Sequence, residues 1–393
     1  MSDLTHIDRI RQEMPVTTSH IYLNTGTFGP LPTCAVQVMQ QQMQNELQAG
    51  RLGAAAFEQM GTTYTSARQA IARLLNAHED EVALTDNTGE GLNIICYGLN
   101  WQPGDEIITT NHEHISLLAP LYQLRQRYGV VIRVADLGPN AERPVHAAVA
   151  ELITPRTRLI AISHVTWTTG ARLGLSEVGA LGREHGIPVL IDGAQSAGAI
   201  HIDIHALNVD FYAVPGQKWL CGPDGTGALY ARRESLKYVT STYVGYWSTE
   251  DAHGEDWTIH ANARRFEVGG RQTAAVAAQA TTLNWLEQTV GHQWLFARIA
   301  ELNAYAFRVL QTVPGLQLHT PNPGASGLLA FTLNGQSPDE VVTYLRDEHH
   351  IYTRTIPEMN SIRISTGFYN TEEEIDNLVR VLSTYSNIQE KAS

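Results

Sequence analysis

Between residues 106 and 214 the chain alternates short apolar runs with longer amphipathic ones. EIITT at 106–110, VVIRV at 130–134, RLIAIS at 158–163, PVLI at 188–191 and VDFYAV at 209–214 read as strands. Stretches 115–128 and 176–185 read as helices between them, the second stopped by Gly186. Strands apolar at nearly every position need cover on both faces, and helical crossovers then predict a mainly parallel sheet. After about residue 260 the texture changes. A helical region spans 273–313 and an apolar strand, GLLAFTL, spans 327–333. Ser337 and Thr371 each precede a helical stretch with Glu three residues later, the pattern of a capping box. The pattern predicts an α/β protein with a large domain over 20–260 and a smaller one made of 1–19 and 261–393.

Composition narrows this picture more than it changes it. The chain has 393 residues, 43% hydrophobic and 17% charged, enough to bury a sizeable core and too apolar for disorder. Lys plus Arg is 27 and Asp plus Glu is 40, so the formal charge is 27 − 40 = −13. That balance argues against nucleic acid or an anionic membrane as partner, and any anionic ligand must be held by local donors. The polar start has no secretory h-region, and no run approaches the ~18 apolar residues of a membrane span. Cys34, Cys96 and Cys221 are far apart and odd in number, which fits a reducing cytoplasm. Neither C-x-x-C nor H-E-x-x-H is present, so no metal is expected, and His349-His350 reads as surface.

Two strand ends carry the chemistry. The strand at 188–191 stops at Asp192, within IDGAQSAG; the next ends in the turn that carries Lys218, within GQKWLCGPDGTGALY. Alone, the aspartate reads as a helix cap and the lysine as a surface charge. Together, at the carboxyl edge of neighbouring strands where ligands of such sheets sit, they suit pyridoxal phosphate (PLP). That cofactor needs a lysine for its Schiff base and a carboxylate on its pyridinium nitrogen. The glycine-containing turn LTDNTGEGLN at 84–93 opens a helix at Leu92, and backbone N–H groups at a helix start can cradle a phosphate.

These runs, with SHVTWTTG and RRFEVGG, resemble over nearly the whole chain the class V branch of fold-type I PLP enzymes. That branch includes cysteine desulfurases, selenocysteine lyases, isopenicillin N epimerase and the cysteine/cystine C–S lyase. The resemblance implies a fold-type I architecture with a large, mainly parallel seven-stranded sheet and a small C-terminal α/β domain. It implies Lys218 as the Schiff-base lysine that also moves the α-proton, Asp192 as the pyridinium partner and Gln195 as hydrogen-bonded to the cofactor's phenolic oxygen. It further implies His114 stacked on the ring, Thr88 and Gly89 on the phosphate, and Arg363 clamping the substrate carboxylate. Asn24 and Thr25, in an N-terminal run shared with the epimerase, are implied at the substrate. A homodimer with the cofactor site near its interface is implied by the family alone.

The departures choose among activities. Desulfurases carry a nucleophilic cysteine on a loop before the arginine; here 354–360 reads RTIPEMN, short and without cysteine. Pro215 replaces a hydroxyl residue ahead of the lysine, leaving the amide of Gln217 to donate. Thr168 substitutes for an asparagine that contacts the cofactor. Gly270 replaces a threonine that reaches a partner's phosphate, so the Gly269-Gly270 backbone or Arg271 takes over. The reading is a cytoplasmic, homodimeric PLP lyase that releases sulfur from a small amino acid by β-elimination, giving pyruvate and ammonia. An epimerase, a class V aminotransferase and a cofactor-binding protein without turnover are the rivals.

Overall fold

The computed structural model of the chain describes residues 5–254 and 256–392. A seven-stranded sheet forms its centre. The strands are β1 (Val82–Thr85), β2 (Glu106–Thr110), β3 (Val131–Ala135), β4 (Thr157–Ser163), β5 (Val189–Asp192), β6 (Phe211–Pro215) and β7 (Gly227–Ala231). Their order is β1-β7-β6-β5-β4-β2-β3. β3, β2, β4, β5 and β6 run parallel, while β7 is antiparallel to both β6 and β1. All five strands expected over 106–214 are present, each displaced by two residues or fewer.

Alternation explains why these runs stay apolar. Ile107, Leu159, Leu190 and Phe211 enter one core, whereas Ile108, Ile160, Ile191 and Tyr212 enter another on the opposite face. Each such burial contributes roughly 1.5–3 kcal/mol, so an unpartnered polar residue has little place along these strands. Ser163 and Asp192, side by side at the carboxyl ends of β4 and β5, are both partnered, Ser163 by the Glu113 carboxylate and Asp192 by the Ala194 N–H.

A second sheet of four antiparallel strands comprises β8 (Leu316–Leu318), β9 (Leu328–Leu333), β10 (Arg354–Ile356) and β11 (Ser361–Ser365), ordered β8-β9-β11-β10. Helices His292–Leu310, Pro338–His349 and Glu372–Ala392 build its core with it, through Leu302, Leu345, Ile364 and Leu378. Leu23 joins that core from the N-terminal segment, and Asn24 bridges to Ser365 on β11. The helix Thr273–Trp285 packs instead on Ala54–Leu75, with Val276 and Ala280 against Tyr64 and Ala67. Among the described residues no helix is long and apolar enough to cross a membrane.

Local details depart from the sequence reading. The helix expected from Leu92 begins at Thr88, because Asn87 accepts the Glu90 N–H at 2.9 Å and caps it earlier. The region 273–313 is two helices, separated by a π-turn at Leu286–Val290 and by Gly291 at φ +83°, a backbone state natural to glycine. Thr371 forms its full capping box with Glu374, both bonds at 3.2 Å. Ser337 is the N-cap residue but its exposed hydroxyl makes no capping bond, since water competes for it.

Candidate active site

A cavity of about 420 Å³ opens at the carboxyl ends of β4, β5 and β6. Asp192, Gln195, Gln217, Lys218, His114, Thr88 and Gly89 all line it. Lys218 follows β6 in a tight turn pinned by the N-terminal segment, where the Gly29 N–H donates to Gln217 O at 2.8 Å. A Cβ at Gly29 would sit 2.0 Å from Lys218 O, so only glycine permits that approach. Burial lowers the Lys218 amine to about 8, with Asp192 opposing and Arg363 and Arg354 adding to the fall. Asp192 accepts the Ala194 N–H at 2.8 Å; burial raises its pKa while Lys218 pulls it down.

The cavity wall is aromatic and cationic. His114 caps the helix Ile115–Tyr128, its Nδ1 accepting the Ser116 N–H at 3.1 Å, and its ring meets Trp167 edge-on at 4.9 Å. Burial, then the charges of Lys218, Arg354 and Arg363, lower His114 to about 4, leaving a neutral ring at pH 7 suited to stacking. Arg363 is 1% exposed and does not itself line the cavity. It donates to the carbonyl O of the lining residue Trp167 at 2.7 Å, and its buried Nε and Nη2 have no partner among the described residues. Burial and then Arg354 push Arg363 down to about 9.

The other expected residues take varied places. Gln195 donates to Gly26 O at 2.8 Å and accepts from Trp219 Nε1 at 3.0 Å while facing the cavity. Thr168 lies one shell back, bonded to His112 Nδ1 at 2.9 Å. Asn24 accepts from the Thr27 hydroxyl at 2.7 Å, and Thr25 pairs with the Tyr369 hydroxyl at 2.5 Å, so both brace the N-terminal segment. Gly270 does not line this cavity; its N–H donates to the Tyr246 hydroxyl at 2.8 Å. Arg271 is held by Asp86 and Glu90 beneath the Thr88 turn.

The sequence model of the aminotransferase class-V family matches residues 21–378. This chain belongs to that family. Within it, the chain is 26% identical over 390 residues to a probable cysteine desulfurase of Methanothermobacter thermautotrophicus, spanning 95% of this chain and 96% of that protein. The solved complex of the cystine C–S lyase C-DES with its reaction product cysteine persulfide superposes with TM-score 0.90 at 30% identity, covering 94% and 99% of the two chains. A C-DES mutant with glycine covalently linked to its PLP cofactor superposes with TM-score 0.89 at 30% identity, covering 95% and 98%.

Two charged residues at or beside the cavity were missed by sequence reasoning. Glu113 was passed over for its neighbour His114. Its buried carboxyl accepts from Ser163 Oγ at 2.5 Å and Thr110 Oγ1 at 2.6 Å, and burial pushes it up to about 7. Only the fold brings it behind Asp192. Arg354 was read solely as part of a loop lacking cysteine. It lines the cavity, sits over the Trp167 ring at 5.8 Å and donates to the Thr27 hydroxyl at 3.1 Å. It also pairs directly with Arg363 across the β10–β11 ladder. Two arginines placed symmetrically about a Pro-Glu-Met-Asn turn were the available signal. Like charges opposed on a ladder are destabilising, so the pair is a candidate site for an anion.

Proposed function

We propose that this chain is a PLP-dependent lyase that cleaves the C–S bond of cysteine, cystine or a cysteine conjugate by β-elimination. The observation that carries this reading is the arrangement of Lys218 and Asp192 at neighbouring strand ends, with a buried arginine with free donors close enough to act on Lys218. The residues fit the cofactor. The Thr88 hydroxyl, buried and without a partner, lies at the start of an eleven-residue helix whose first N–H groups suit a phosphate. Asp192 suits a protonated ring nitrogen, and Lys218 suits an aldehyde. When bound, PLP supplies that aldehyde for the substrate amine and a ring that takes up the electron pair released at Cα.

The chain's own residues do the rest. Arg363 grips the α-carboxylate with the two nitrogens that have no protein partner. Asp192 keeps a proton on the ring nitrogen. Lys218, with its amine near neutrality, takes the α-proton and holds it beside the departing sulfur. Loss of the sulfur from Cβ and hydrolysis leave pyruvate and ammonia. Desulfuration by a protein thiol is disfavoured, because 354–360 is a strand, a single 3₁₀ turn and its cap residue Asn360, with no cysteine and the next strand following at Ser361. Cys34, Cys96 and Cys221 do not line the cavity, and burial raises all three thiols. The matched relatives are named for cysteine or cystine C–S chemistry, which supports elimination over epimerisation.

The same proposal includes a homodimer, supported by apolar side chains left exposed at Leu47, Leu52, Tyr243 and Tyr246. It also includes a cytoplasmic setting, supported by three unpaired cysteines. The purified protein should show the visible band of a PLP–lysine Schiff base, lost in Lys218→Ala. Cystine, cysteine and cysteine conjugates should be assayed for pyruvate and for alanine. Pyruvate is expected; alanine with persulfide would make the chain a desulfurase, and neither product would overturn C–S cleavage.

A further inference from the structure

At the other end of the sheet, where β1 and β6 begin, a second group of chemistry-bearing side chains converges. His78 and Glu81 lie in the turn that enters β1, and His205 lies on the short helix Ile204–Leu207 that precedes β6. Each offers one ligand atom, and the three atoms lie within 4.8 Å of one another. His205 Nε2 and Glu81 Oε2 are already 3.4 Å apart. Donors around tetrahedral zinc, at ~2.0–2.2 Å from the metal, stand roughly 3.3 Å from each other. Small rotations of the two exposed imidazoles would close the remaining gap.

Glu81 makes this cluster unlike a solvated surface patch. Its side chain is 5% exposed, yet among the described residues its one ionic partner is His205, which carries charge only when protonated. A buried carboxylate calls for a full positive charge nearby. Two further contacts orient it: the His78 N–H donates to Oε2 at 3.1 Å, and the Tyr230 hydroxyl approaches Oε1 at 3.5 Å. Asp203 holds the helix that carries His205 by accepting the Ala206 N–H at 3.1 Å, and it also bonds Asn76 in the facing turn. Arg233 and Arg68 pair with Asp80 and Glu79, and Arg232 donates through Nε to Val209 O at 3.1 Å; none of the three forms an ion pair with Glu81 among the described residues.

We propose that His78, Glu81 and His205 form a Zn²⁺ site, two imidazoles and one carboxylate with water completing the shell, that staples the turn entering β1 to the turn entering β6. Two nitrogen donors favour zinc and its borderline neighbours over Mg²⁺ or Ca²⁺, which take oxygen. The site stands at the amino ends of the strands, away from the catalytic cavity at their carboxyl ends, so its role is structural. The ligands come from distant segments, which is why no local spacing in the sequence announces them.

The test uses the cofactor-loaded, chelator-treated protein titrated with ZnCl₂ by calorimetry, with Tm measured alongside. CoCl₂ serves as a visible probe of tetrahedral coordination. The expected result is one equivalent of Zn²⁺ per chain, a rise in Tm and an intense cobalt band. His205→Ala, at an exposed position, should weaken binding by about tenfold or more and abolish the cobalt band. Absence of binding in the wild type would overturn the proposal. So would equal binding by the His78→Ala/His205→Ala double variant, which would place the zinc on Cys34 or scattered histidines.

Discussion

Two buried arginines, Arg68 and Arg363, show how this fold separates structure from function. Arg68 is 3% exposed and meets Glu267 with bonds at 2.9 and 3.0 Å to both carboxylate oxygens, and Glu267 also accepts the Leu84 N–H at 3.0 Å. Arg363 is as deeply buried, but its one protein acceptor is Trp167 O, and it faces Arg354 across the ladder. The first charge is neutralised inside the protein; the second meets no carboxylate among the described residues. Burial alone distinguishes neither. The partner list does.

The contrast predicts opposite phenotypes. Arg363→Leu should lower kcat/KM for C–S cleavage about a thousandfold, the order expected when a buried charge-assisted contact is lost, with Tm unchanged or raised. Steady-state kinetics beside a melting curve decide it, and a large fall in Tm would break the comparison. Arg68→Met should cost about 3–5 kcal/mol of stability by leaving Glu267 buried and unpaired, with activity per folded molecule retained. Urea denaturation tests this, and Arg68→Met/Glu267→Leu should recover most of the loss.

A smaller effect comes from two histidines with the same division of labour. His164 is buried with its Nδ1 on the Tyr212 hydroxyl at 2.8 Å, and burial lowers it to about 3, while cavity-facing His114 is lowered to about 4. Both resist protonation when folded but gain a proton near pH 6.5 when unfolded. Stability is therefore full above pH 6.5 and declines as pH falls toward those folded values, by on the order of 3 kcal/mol for His164 at pH 4. Glu113, raised to about 7, acts in the reverse sense: it favours the folded state at low pH and loses that advantage between its unfolded value near 4.5 and pH 7. Tm measured against pH in His164→Gln should show a shallower acid decline than the wild type. Least affected should be Arg354→Ala, expected to raise KM about tenfold while kcat holds, since one rim cation is worth roughly 1.4 kcal/mol.

Most of the large sheet was legible because strands covered on both faces leave a continuous apolar signature, as at 158–163. Asp192 and Lys218 were legible because a polar residue ending such a run breaks the pattern. The edge pair β1 and β7 was not recognised as strands, since their residues were absorbed into the glycine-rich turns beside them. Gly270 was placed at the cofactor by resemblance, yet in one chain its N–H serves Tyr246, a contact no local pattern encodes. Glu113 and Arg354 depend on tertiary pairing, the first through Ser163 on the next strand but one in sequence, the second through hairpin register.

The β10–β11 hairpin acts as a ruler. Residues directly opposite on an antiparallel ladder stand about 4.5–5.5 Å apart whatever their side chains, so the spacing of Arg354 and Arg363 is set by backbone hydrogen bonding. Its tip, Pro357–Met359, lies outside that constraint. Residues can be inserted at the tip without moving the two cations. A lineage could therefore gain or lose a loop at this turn and keep the two guanidinium groups in register throughout.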